Sequence, residues 1–135
     1  MRPFYVSILA ADKPVYEGSC ESLVVPTIRG QYGILAGHSN MISAIVPGTL
    51  SYRIPGQENL ILAVSEGLVK AEDGAVLVLV DSAERPEEID ENRARRAADQ
   101  AKEEMLQKRS IVEYHAAQAH LARALNRLRV KNSGK

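Results

Sequence analysis

The sequence predicts an α+β chain, with an N-terminal antiparallel β-sandwich (a flattened barrel) followed by a C-terminal antiparallel α-helical hairpin. Three observations carry this prediction. Eight of the nine glycines lie at or before Gly74, and all six prolines lie at or before Pro86. From Glu87 to Ser133 there is neither, so the two parts follow different backbone rules. Charge divides at the same place: residues 1–84 carry a formal net charge of −4 and residues 85–135 one of +4. The boundary falls near Glu84–Pro86, making 1–84 and 85–135 separate domains. Hydrophobic residues are 45% and charged residues 25% of the 135, a globular composition that excludes global disorder.

In the first part, residues 4–9 open with the apolar–polar alternation of a strand. Short runs follow at 15–18, 20–25, 33–35, 41–46, 49–54, 60–65 and 67–70, divided by turn residues. Pro55-Gly56-Gln57 marks a turn, and Glu72-Asp73-Gly74 holds the Asp-Gly dipeptide of a tight hairpin. Residues 76–80 are apolar throughout, which predicts a strand buried on both faces. Eight or more short strands at this spacing predict a sandwich and require no helix before Pro86.

In the second part, Pro86 suits a first helical position, and Glu87, Glu88 and Asp90 complement the positive end of a helix dipole. Ile89, Ala94, Ala97, Ala98, Ala101, Met105 and Leu106 keep helical spacing along one side. Ser110-Ile111-Val112-Glu113 matches a capping box, so a second helix is predicted from Ser110, with an inner stripe of Ala116, Ala119, Ala122, Leu125 and Leu128. Alanine stripes let helices approach closely but bury little area each, at roughly 25 cal/mol per Å². The hairpin is therefore expected to be weakly held and to be the moving part.

Composition argues against several functions. Zero net charge is unlike a nucleic-acid grip, and aromatics at 4% leave few stacking platforms. Cys20 is the one cysteine, so neither an internal disulfide nor a multi-cysteine zinc site is available. The apolar stretch near the N-terminus lacks the continuous core of a signal peptide, and the longest apolar run, 75–80, is far short of the ~20 residues that span a bilayer. His38, His115 and His120 lack metal-ligand spacing. Gly30, Gly33 and Gly37 precede no helix, which excludes a dinucleotide fingerprint. Asp81, Glu84 and His38 form the one conceivable catalytic set, and no base–nucleophile pattern links them. No metal site and no enzymatic activity are expected.

Two segments are more specific. One is Gly33-Ile34-Leu35-Ala36-Gly37-His38-Ser39-Asn40, which taken alone reads as a glycine-rich sandwich loop. The other is Ile89-Asp90-Glu91-Asn92-Arg93-Ala94 with Glu84 upstream, which taken alone reads as an Asp90–Arg93 surface pair. Together with Val6-Ser7-Ile8, Pro14-Val15-Tyr16-Glu17, Val64-Ser65-Glu66-Gly67-Leu68 and Ala124-Leu125-Asn126-Arg127-Leu128, they resemble the epsilon subunit of the bacterial and chloroplast F-type ATP synthase over nearly the whole chain. Ala36 stands where that family usually has Pro, and Glu66 where Gly is common.

The resemblance implies a non-catalytic central-stalk subunit of a proton-translocating ATP synthase. It would be peripheral, at the cytoplasmic face of the cell membrane, and held there through the complex. Its sandwich would bind the gamma subunit and the c-ring, with contacts at Gly33, Gly37, His38 and Ser39, and help couple rotation between them. Its hairpin would lie folded, or extend along gamma towards the catalytic beta subunits and inhibit ATP hydrolysis. No covalent cofactor is implied. ATP is implied as a regulatory ligand held by Glu84, Ile89, Asp90, Arg93, Ala94, Arg123 and Arg127, and favouring the folded hairpin. Gln100 stands where strong binders have a further phosphate-contacting arginine. Outside the resemblance, a stand-alone nucleotide sensor with a helical lid fits the same division of the chain.

Overall fold

The computed structural model describes residues 2–107 and 111–133. The chain divides into two compact units, Met1–Glu84 and Arg85–Lys135.

The first unit holds ten strands. They are β1 (Phe4–Ala10), β2 (Pro14–Cys20), β3 (Ser22–Thr27), β4 (Gly30–Ile34), β5 (Met41–Ile45), β6 (Gly48–Arg53), β7 (Asn59–Val64), β8 (Gly67–Glu72), β9 (Ala75–Val80) and β10 (Ala83–Glu84). One sheet runs β2-β1-β9-β8-β5 and the other β10-β7-β6-β3-β4. Neighbours are antiparallel except β1 and β9, which pair in parallel from Tyr5 opposite Ala75 to Ala10 opposite Val80. Every second residue points inward, and Val6, Ile8, Leu23, Leu50, Val69 and Val78 are fully buried between the sheets. The Asp-Gly hairpin forms as expected. Glu72 pairs with Ala75, and the two turn residues, Asp73 (φ 52°) and Gly74 (φ 83°), both take positive φ. Cys20 is buried, and that burial pushes its thiol pKa up and disfavours the reactive thiolate.

Three features of this unit differ from, or add to, the sequence reading. Residues 76–80 are not buried on both faces: β9 alternates, and Leu79 on its outer face is 43% exposed. An all-apolar run hides its period, so burial on both faces cannot be told from a sandwich strand with an apolar exterior. Gly33 lies inside strand β4, opposite Val24, with the strand run expected at 33–35 and not with the loop after it. The two-residue β10, which pairs with β7, has no sequence signal of its own.

The second unit holds a 3-10 turn (Pro86–Glu88), α1 (Glu91–Gln107) and α2 (Ile111–Ser133). Pro86 opens the 3-10 turn and not the helix. The α-helix begins after Asp90, whose Oδ1 accepts the Arg93 backbone N–H at 3.1 Å, while its carbonyl accepts from Ala94 N at 3.0 Å. On α1 the buried stripe is Ala94, Ala98 and Ala101. Ala97 is exposed, as is Leu106. On α2 the expected stripe is one position out of phase. Ala117, Ala124, Asn126 and Val130 are buried, whereas Ala116, Ala119, Ala122 and Leu125 are exposed. Alanine occurs on every side of α2, so its pattern has little contrast with which to fix a phase. Lys108, Arg109, Ser110 and Lys135 lie outside the described residues, and the predicted cap at Ser110 lies there with them.

Candidate functional site

The first candidate surface lies between β4 and β5. A turn closes from His38 N to Leu35 O at 3.2 Å, and Gly37 takes a φ of 81°, which glycine adopts without strain. His38 Nδ1 lies 2.8 Å from the Ser39 carbonyl, which can only accept, so the proton sits on Nδ1. Nε2 then accepts from the Tyr32 hydroxyl at 2.9 Å. The two rings meet edge to face, with centroids 5.5 Å apart. His38 therefore pins the loop to β4 with both nitrogens engaged, and Asn40 Oδ1 ties its end to Asp73 N at 3.0 Å. Of the four residues expected to meet partners, Gly37, His38 and Ser39 share this loop. Gly33 lies on the adjoining strand, and space for a side chain there is open.

Sequence reasoning missed a second feature of the same unit. The cross-strand register lines up Leu9, Leu79, Leu68 and Ala44 across β1, β9, β8 and β5 on the outer face of one sheet. Leu68 is 47% exposed, and Ile42 on the same strand as Ala44 is 65% exposed. An open cleft of about 410 Å³ lies beside this row, with Glu66 and Asp81 at its margin. A contiguous apolar row in water marks a docking surface better than scattered leucines do. The signal is present in the sequence as the unbroken run 76–80, which the sequence alone assigns to a strand buried on both faces.

The second candidate site lies in the helical unit. Ile89 is buried behind the 3-10 turn, Asp90 caps α1, Arg93 projects into solvent and Ala94 is buried under α2. The Asp90–Arg93 ion pair read from spacing is replaced by the carboxylate's bond to the Arg93 backbone. On α2, Arg123 and Arg127 are four apart and partly buried. Arg123 Nη2 lies 3.3 Å from His120 Nδ1, and Arg127 Nε is sequestered from water. Lys131 continues their row by four more residues, and its Nζ donates to the Pro86 carbonyl at 3.2 Å. That bond puts the end of α2 beside the 3-10 turn that precedes α1, with Arg127 and Arg123 about one and two helical turns back along α2. Six of the seven expected nucleotide residues thus belong to one end of the hairpin. The seventh, Glu84, belongs to β10 of the other unit, opposite Ala63. Gln100 is exposed on α1. Sequence reasoning counts Lys131 among the basic residues outside the nucleotide set, although its i, i+4, i+8 spacing from Arg123 is legible.

Among the described residues there is no group of three metal-ligating side chains and no helix long and apolar enough to cross a membrane.

Comparison with known proteins gives concordant matches. Residues 3–86 match the family described as ATP synthase, Delta/Epsilon chain, beta-sandwich domain, and residues 87–132 match its long alpha-helix domain. An ATP synthase epsilon chain of Ruminiclostridium cellulolyticum is 38% identical over 133 residues, 98% of either chain. One from Nitratidesulfovibrio vulgaris is 36% identical over 132 residues, again 98% of each. Among solved structures, a chain of the Euglena gracilis mitochondrial ATP synthase aligns with a TM-score of 0.79 at 21% identity, covering 89% of this chain and 76% of that one.

Proposed function

The chain belongs to the ATP synthase delta/epsilon family, and from that premise we propose that it is a central-stalk subunit coupling the c-ring to gamma and restraining ATP hydrolysis. The family is non-catalytic, so the chemistry of the complex resides in other subunits. The observation that carries the reading is the presence of both family domains in order. An acidic sandwich with an exposed apolar row is followed by a basic helical pair with a thin interface.

In this reading the sandwich is the anchor. Gly33, Gly37, His38 and Ser39 meet gamma or the c-ring, and the row Leu9–Leu79–Leu68–Ala44 gives gamma an apolar seat. Both ring nitrogens of His38 are engaged internally, so a partner meets its ring or displaces Tyr32. The protein then works at the cytoplasmic face of the membrane, held there by its partners. The hairpin is the regulator. Extended, it reaches the beta subunits and hinders hydrolysis. ATP favours the folded form through Ile89, Asp90, Arg93, Ala94, Arg123 and Arg127. A ligand shifts such an equilibrium only by its difference in affinity for the two states. The arginines are suited to phosphate oxygens, and only a closed hairpin gathers residues from both helices.

The test is co-purification. A chain ending at Glu84 carries the whole sandwich core and is expected to hold gamma as the full chain does. A folded 1–84 fragment that fails to bind gamma would overturn the assignment of the anchor.

A further inference from the structure

We propose that Lys131 is a latch: its bond to the Pro86 carbonyl holds the free end of α2 against the start of α1 and so sets how often the hairpin opens. The contact itself is a property of the isolated chain. Its regulatory consequence rests on the reading above, in which the open hairpin is the inhibitory one.

Little apolar surface holds the two helices together. Among the described residues, the buried side chains of the helical unit are Ile89, Val130, Asn126 and five alanines. Alanine contributes little area each, so Ile89 and Val130 are the two large aliphatic groups buried in this unit, while Met105, Leu121 and Leu128 are only partly buried. Val130 is 0% exposed and precedes Lys131, and Ile89 is 3% exposed and closes the Pro86–Glu88 turn. Both lie at the end of the hairpin where the helices are not joined by the chain. Splaying must start there, because the other end is tethered covalently.

Lys131 crosses that gap. Its Nζ donates to Pro86 O at 3.2 Å, bridging 45 residues of sequence in a partly buried setting. The acceptor is well prepared. Pro86 has a fixed φ, and its carbonyl is already oriented by the Ile89 N–H at 3.3 Å. Glu88 Oε1 holds the Arg85 N–H at 2.9 Å and rigidifies the same turn from its other side. A cation in the last turn of α2 also meets the negative end of the helix dipole, so Lys131 is favoured in place before it reaches across. Arg127 and Arg123 lie one and two turns back along the row, so opening the latch also carries this cation row away from α1.

The experiment compares the full-length chain with Lys131→Met, which keeps the stem and removes the donor, and with Lys131→Arg, which keeps a donor. Hydrogen exchange is followed in segments 86–94 and 120–131, with the sandwich strands as an internal control for folding. In Lys131→Met, exchange in both segments is expected to accelerate about tenfold while the sandwich is unchanged, and Lys131→Arg is expected to recover part of the protection. Wild-type protection in Lys131→Met would overturn the latch. The same variants are then assembled into the complex. A looser latch is expected to lower ATP hydrolysis there. Faster exchange with unchanged hydrolysis would uphold the latch and overturn the regulatory reading joined to it.

Discussion

At the residue scale, glycines that look alike in sequence differ in what they are for. A Cβ at Gly67 would overlap the Leu79 carbonyl oxygen and lie 2.7 Å from Val80 Cα, both backbone and neither free to move. Gly67→Ala is therefore expected to lower the stability of the sandwich by about 1–3 kcal/mol, read as a lower urea midpoint. Gly33→Ala is expected to fold as the wild type does, because its Cβ would enter open space. If Gly33 meets a partner backbone, that variant loses affinity for gamma without losing stability. Asp90 carries two roles that a pair of substitutions separates. Asn caps helices as well as Asp does, whereas Ala forfeits about 0.5–2 kcal/mol. Asp90→Asn should thus keep the thermal stability of the hairpin while weakening ATP binding in calorimetry, and Asp90→Ala should lower both. Equal ATP affinity in all three proteins would remove Asp90 from the nucleotide site.

At the scale of elements, legibility followed contrast. The strands and the break near residue 85 were readable because glycine, proline and alternation mark them sharply. The phase of α2 was not, because alanines on all sides leave no apolar stripe to fix rotation. Nor was the exterior of β9, where core and exposed apolar surface are written in the same valines and leucines. The nucleotide residues were read from the family resemblance, while Lys131 needed the structure, since its significance lies in a carbonyl 45 residues away. The hairpin interface makes its own prediction. Ala98 is buried between helices whose approach depends on small side chains. Ala98→Leu overpacks that contact at a cost of ~1–3 kcal/mol, so hairpin amides should exchange roughly five- to a hundred-fold faster. The sandwich has a separate core and should keep its protection. Loss of protection in both units together would show that they unfold as one.

At the scale of the whole molecule, the question is whether the restraint on hydrolysis proposed for the hairpin acts by charge or by bulk. Residues 108–135 hold seven Lys and Arg against the single acid Glu113, a net charge of +6. Exposed pairs are worth only ~0–1 kcal/mol each, but several acting together can bias a two-state element, and salt should weaken that bias over a Debye length of ~8 Å. Removing residues 86–135 is expected to raise ATP hydrolysis by the assembled enzyme while rotary coupling persists, since the sandwich anchor remains. Unchanged hydrolysis after truncation would acquit the hairpin. Single cations then separate the mechanisms by sign. Arg129 is exposed on α2, so Arg129→Ala removes charge without touching the latch and should relieve inhibition in part if charge matters. Lys131→Met removes a charge and also opens the latch, so it should deepen inhibition despite the lost cation. If both variants relieve inhibition equally, electrostatics governs and the latch is secondary. If truncation activates while Arg129→Ala changes nothing at low or high salt, the extended hairpin blocks by its bulk, and the basic face serves the folded state alone.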